Sequence, residues 1–208
     1  MVDTTEYDKD YALQQLRRSH QHLRRVIKYF YLNNILYEVL GPTIDFGCGA
    51  GQLLARLPAG SIGLEVNPYL VIELQKKGLN ALLYKPATDQ FSLCLLPQNH
   101  YKTLVIAHVL EHFINANLML RTLLRSCSRL GIQRVILVLP GAKGFRFDKT
   151  HKTFIDRQYL ENQGLLCCEG YTVNKISYFP FNIECLGNYF TFHELKVIYD
   201  WVEKTVYP

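Results

Sequence analysis

From residue 11 to residue 40, apolar residues recur at near-helical spacing (Leu13, Leu16, Leu23, Val26, Ile27, Phe30, Leu32, Ile35) with basic residues between them. This predicts an amphipathic helix stopped by Gly41-Pro42. The pattern then shortens to mostly apolar runs at residues 43–46, 62–66, 81–84, 104–107 and 135–139. Helical stretches separate several of them. Residues 52–57 begin like a helix, Pro68 suits the first turn of a helix running on through 69–77 to Gly78, and 114–130 is a long helical pattern. Short strands that are apolar on both faces and alternate with helices predict a parallel sheet covered on both sides. The end differs: residues 171–181 and 193–201 alternate apolar and polar with no helix between, which predicts a closing antiparallel pair at the sheet edge.

A chain of 208 residues that is 49% hydrophobic suits one globular unit with a substantial core and excludes a disordered chain. No run reaches the ~18 apolar residues of a membrane span, and the polar, acidic start lacks the basic and apolar regions of a secretory signal, so a cytoplasmic protein is expected. Cys48, Cys94, Cys127, Cys167, Cys168 and Cys185 form no CxxC pair and read as reduced thiols.

The net charge of +5 is unevenly placed. Residues 1–10 carry −3, residues 11–36 carry +5 with no acid, and residues 37–208 carry +3. That last excess matches the segment 143–157, where Lys143, Arg146, Lys149, Lys152 and Arg157 face only Asp148 and Asp156.

The first apolar run leads into Asp45-Phe46-Gly47-Cys48-Gly49-Ala50-Gly51. Glycines after a strand let the backbone turn and approach a ligand with its N–H groups. The dinucleotide fingerprint GxGxxG serves the same geometry, but here the spacing is GxGxG, an acid precedes it, and Glu65 ends the second strand, where a carboxylate can accept both ribose hydroxyls. Further on, His108, Glu111 and His112 spell HxxEH. An inverted zinc-protease site needs both histidines on one established helix and a third ligand; this motif follows directly on a strand, so no zinc-protease metal site is expected. Two uses of the segment stay open: histidines that cap and pack a helix start, or a Glu/His cluster of the kind used in metal-assisted RNA ribose methylation.

The glycine loop and Glu65, together with Val105-Ile106-Ala107-His108-Val109-Leu110-Glu111-His112-Phe113 and Phe147-Asp148-Lys149-Thr150-His151-Lys152-Thr153-Phe154, resemble the class I S-adenosylmethionine-dependent methyltransferases. The matching motifs are [DE]xGxGxG, "VLEH" and "DxTHxxF", and the closest branch is the small-molecule one, type 11/12-like, with its quinone-biosynthesis O-methyltransferases. The resemblance spans residues 43–154. It implies an α/β, Rossmann-like, doubly wound, mostly parallel seven-stranded sheet with an antiparallel C-terminal edge strand. Residues 1–40 would form an N-terminal helical cap and 41–208 the methyltransferase domain.

It further implies S-adenosylmethionine held by Asp45, Gly47, Cys48, Gly49, Gly51, Glu65, Val66, Asn67, Ala107 and His108. Acceptor contacts would come from Tyr11, Glu111 and Lys149, with His112 and His151 as the candidate bases. The acid that often follows the third strand to bind adenine is replaced by Tyr84-Lys85-Pro86-Ala87, with Asp89 later. The [ND]PP[YFW] motif of base-amino methyltransferases is absent, so a small, anionic acceptor is expected first and nucleic acid second. A non-catalytic S-adenosylmethionine-binding scaffold is the alternative of a different class.

Overall fold

The structure, a computed structural model, describes residues 22–202. Helix α1 (His22–Leu36) is followed by β1 (Thr43–Phe46), a 3-10 turn at Leu54–Arg56, β2 (Ile62–Glu65), α2 (Pro68–Lys76), β3 (Ala81–Leu83) and the short α3 (Pro86–Asp89). Then come β4 (Thr103–Ala107), a 3-10 turn at Leu110–His112, α4 (Ala116–Leu130), β5 (Arg134–Pro140), α5 (Ala142–Phe147) and α6 (Arg157–Asn162). The chain closes with β6 (Cys167–Cys168), β7 (Tyr171–Phe179) and β8 (Glu194–Trp201).

The strands form one sheet of eight in the order β3-β2-β1-β4-β5-β8-β7-β6. The first five are parallel, whereas β8 runs antiparallel to β5 and to β7. The expected mostly parallel sheet with an antiparallel C-terminal end is therefore present. The eighth strand is the two-residue β6, too short to show as a pattern, which pairs with β7 at the edge; the last strand, β8, is not the edge strand but lies inside the sheet between β5 and β7.

Strands β1, β2, β4 and β5 are buried almost throughout, as their continuous apolar runs require. Helix α4 covers one face through Ala116, Met119, Leu120, Leu123, Leu124, Cys127 and Leu130, a spacing that puts all seven on one side of a helix. On the opposite face α1 lays Tyr31, Leu32 and Ile35 over Val105, Ile136 and Val138.

Helix α1 ends at Leu36, four residues before the expected limit. The cause is Glu38, whose carboxylate accepts from Lys175 Nζ (2.9 Å) and Lys196 Nζ (3.3 Å) while its carbonyl accepts from Arg134. Holding these partners on β5, β7 and β8 takes the backbone out of helix before Gly41-Pro42 could stop it. The expected helix at 52–57 is reduced to the 3-10 turn, and β3 is not covered on both sides, since Leu82 and Leu83 are exposed at the sheet edge.

Antiparallel β8 matters for the site. Because Glu194 pairs with Pro140, the first residue of β8 stands at the carboxyl end of β5. In an open α/β sheet that end of the parallel strands is where ligands bind.

Candidate active site

The β1–β2 side is built by the glycine loop. The N–H groups of Gly47 and Cys48 both donate to Leu64 O (2.8 and 3.1 Å), tying the loop to β2. A Cβ on Gly47 would stand 2.5 Å from Val109 Cγ2, and one on Gly51, where φ is 73°, would overlap Leu74 Cδ2. These two glycines are required by packing. Gly49 differs: its φ is 52°, yet among the described residues nothing lies within 4 Å of where its Cβ would be. The loop opens at Gly49, as a ligand cradle must.

Glu65, at the end of β2, is buried and accepts from Gly49 N (2.8 Å) and Asn67 N (2.9 Å), one bond on each carboxylate oxygen. Burial raises its pKa, against the pull of these N–H groups. A carboxylate has about four acceptor positions, so the backbone N–H groups of Gly49, Asn67 and Val66 leave it capacity for a further donor. Asn67 caps α2 by accepting from Tyr69 N and Leu70 N, and Val66 is packed against the core. Asp45 is buried on β1. Cys48 turns its thiol down onto Gly63 and Leu54 with its pKa pushed up by burial, so only its backbone faces the loop.

Asp89 does not stand in for the missing adenine-side acid. Its carboxylate accepts from Tyr84 Oη (2.7 Å), Leu93 N (2.7 Å) and Ser92 Oγ (2.8 Å) and organises the turn after α3. Burial opposes its charge, but these bonds lower its pKa to about 2.

On the β4–β5 side, Ala107 ends β4 and His108 takes the left-handed conformation, φ 56°, with its N–H on Val138 O (3.0 Å). That geometry costs a residue with a Cβ on the order of 1 kcal/mol and aims the ring between two acids. Nδ1 lies 3.3 Å from Glu111 Oε1 and Nε2 3.1 Å from Glu194 Oε1. Burial disfavours the imidazolium, but Glu194 and Glu111 outweigh it and push the pKa up to about 10. Tyr31 of α1 packs 6.1 Å from the His108 ring, and burial with the nearby Glu194, Asp45 and Glu111 charges raises its pKa. Among the described residues, Tyr31 Oη, Glu194 Oε2 and Glu111 Oε2 are buried without a hydrogen-bond partner.

Beyond Glu111 the segment after α5 folds back. Lys152 N and Thr153 N donate to Glu111 O (2.7 and 3.1 Å), and Thr153 Oγ1 donates to Phe113 O (2.7 Å). This docking brings His151 to His112, with ring centroids 4.9 Å apart, and sets His151 Nε2 3.9 Å from Glu111 Oε1. Burial, then the neighbouring His151, lowers the pKa of His112 against the pull of Glu111.

The structure therefore brings Glu111, His112 and His151 together, and Glu65 with Gly49. Lys149, Lys152, Lys143 and Arg146 are exposed, and Lys143 Nζ donates to Tyr189 O (2.7 Å). Tyr11 lies outside the described residues. Sequence reasoning missed Glu194, Thr150 and the placement of Tyr31. The only available signal for Glu194 was the antiparallel last strand, whose first residue must return to the carboxyl end of β5.

No family model matches the chain, and no curated protein matches it by sequence. Solved structures do match in fold. A SAM-dependent methyltransferase from Archaeoglobus fulgidus superposes with TM-score 0.63 at 16% identity, covering 93% of this chain and 100% of that one. Magnesium protoporphyrin IX methyltransferase from Synechocystis PCC 6803, with bound S-adenosylhomocysteine, gives TM-score 0.67 at 14% identity over 95% and 97%. The small RNA methyltransferase HEN1 gives 0.54 at 20% identity over 89% of this chain and 26% of that one. The chain has the class I S-adenosylmethionine-dependent methyltransferase fold.

Proposed function

We propose that the protein transfers a methyl group from S-adenosylmethionine to an oxygen or nitrogen of a small, anionic acceptor. The observation that carries this is the open cradle at Gly49 beside the remaining acceptor capacity of buried Glu65, at the carboxyl ends of β1 and β2. The orphaned polar atoms of Tyr31 and Glu194 fit the same reading, since a polar, cationic ligand would satisfy them. Solved methyltransferases of this fold hold S-adenosylmethionine or S-adenosylhomocysteine.

The bound cofactor supplies an electrophilic methyl on a good leaving group. The chain then has to place, align and dehydrate the reactants. Glu65 holds the ribose hydroxyls, and the N–H groups and open face of the glycine loop, with Asp45, Val66, Asn67, Ala107 and His108, line the remainder. Protonated His108 holds Glu111 and Glu194 apart and fixes the floor of the mouth. Glu111, His112 and His151 form the face at which the acceptor is aligned and loses its proton. Tyr31 of α1 borders the mouth beside His108, and Lys149 with its exposed basic neighbours draws in an acceptor carrying phosphate or carboxylate.

A second reading, ribose methylation of RNA, is favoured by the same basic rim and by the likeness to HEN1. Incubation with labelled methyl donor and separate small-molecule, RNA and protein fractions decides between them. Label in the small-molecule fraction supports the first, and label in RNA the second. Label in neither, with cofactor bound, would leave a scaffold without turnover.

A further inference from the structure

We propose that Glu111, His112 and His151 bind one divalent first-row transition-metal ion. Their ligand atoms all lie within 4.8 Å of one another. Ligands about 2.1 Å from a tetrahedral ion stand roughly 3.4 Å apart, so the widest pair needs to close by at most about 1.4 Å.

Both histidines are already set for ligation by what holds their other nitrogen. His151 Nδ1 lies 2.9 Å from Phe145 O, a carbonyl that can only accept, so Nδ1 carries the proton and Nε2 the lone pair. The Thr150 hydroxyl gives its one proton to Asp148 Oδ1 (2.7 Å) and so accepts from His112 Nδ1 (3.0 Å), which again leaves Nε2 bare. A carbonyl on one ring and a carboxylate-backed hydroxyl on the other are the partners that fix metal-binding imidazoles. Phe145 also stacks on the His151 ring, with centroids 5.2 Å apart, and limits its rotation.

The third ligand supplies an independent observation. Glu111 is fully buried, and its Oε2 has no hydrogen-bond partner among the described residues. A buried carboxylate oxygen left bare is costly unless a cation or donor meets it. Two imidazoles and one carboxylate suit ions from Mn²⁺ to Zn²⁺ better than Mg²⁺ or Ca²⁺, and three protein ligands leave coordination positions open.

The use of the ion rests on the methyltransferase reading, while its binding does not. An acceptor hydroxyl taking an open position becomes more acidic and releases its proton to water. Its oxygen then forms the C–O bond as the C–S bond breaks, and the electron pair stays on sulfur.

The test is titration of Mn²⁺ into the chelator-treated full-length protein by calorimetry, with the Co²⁺ absorption spectrum as a second readout. One Mn²⁺ per chain is expected, with affinity at least tenfold weaker in His112→Ala, His151→Ala and Glu111→Gln and unchanged in His100→Ala, whose exposed ring lies elsewhere. Thr150→Val keeps every ligand and should still weaken binding about tenfold, which separates orientation of His112 from loss of fold. Co²⁺ should show d–d bands without thiolate charge transfer. Stoichiometric binding that survives all three ligand variants, thiolate ligation of Co²⁺, or no saturable binding would overturn the proposal. S-adenosylhomocysteine binding without Mn²⁺ binding defeats the metal site alone, and the reverse defeats the cofactor reading alone.

Discussion

The two sides of the strand mouth are assembled by different means. On the β1–β2 side the groups at the mouth are mostly backbone, and their contacts are short in sequence: Gly49 and Glu65 are 16 residues apart. On the β4–β5 side they are side chains gathered from afar, with His108 meeting Glu194 across 86 residues and Thr150 meeting His112 across 38. A site made of backbone tolerates few changes without altering the fold. A site made of side chains can be edited residue by residue while the sheet stays intact.

The sharpest way to break this contrast is within the glycine loop. Gly51→Ala pushes a methyl into Leu74 at a left-handed backbone position and should cost roughly 2–4 kcal/mol, read from the denaturant midpoint. Gly49→Ala meets nothing within 4 Å among the described residues, so its cost should stay about 1 kcal/mol, while affinity for S-adenosylhomocysteine falls because the methyl occupies the cradle. Equal destabilisation by the two would remove the distinction between packing glycine and ligand glycine.

Asp89 tests whether the structural acid beside the cradle is separate from binding. Its lowered pKa means that its bonds stabilise the fold above the ordinary aspartate range, near pH 4, and that this contribution is lost as pH falls toward about 2. Asp89→Asn should cost about 1 kcal/mol at neutral pH, allowing for solvent screening, and flatten the stability curve in that window. Cofactor affinity should change little. On the rim, the paired reversal Lys149→Glu and Lys152→Glu should leave stability within about 0.5 kcal/mol, since both are exposed, while raising the acceptor KM several-fold. An unchanged KM would reduce these lysines to solvated surface.

Legibility in the sequence follows the same divide. Parallel strands buried on both faces, the GxGxG turn and the strand-end Glu65 are local patterns, and each stands where its pattern placed it. Helix α1 stops early because Glu38 answers to Lys175 and Lys196, residues more than a hundred positions away that no local periodicity encodes. The segment at 147–154 was visible as a motif, but its docking on the Glu111 carbonyl depends on backbone bonds that residue types do not reveal. Glu194 carries no motif at all. It became a site residue only through the reversed direction of β8.

The central claim is that Glu65 and the open glycine loop form the cofactor site. Calorimetric titration of S-adenosylhomocysteine into the full-length protein and into Glu65→Ala tests it most directly. Saturable one-to-one binding is expected, weakened in the variant by roughly tenfold to a hundredfold, or about 1.4–2.8 kcal/mol. No binding to the unaltered protein, or the same affinity in Glu65→Ala, would contradict it.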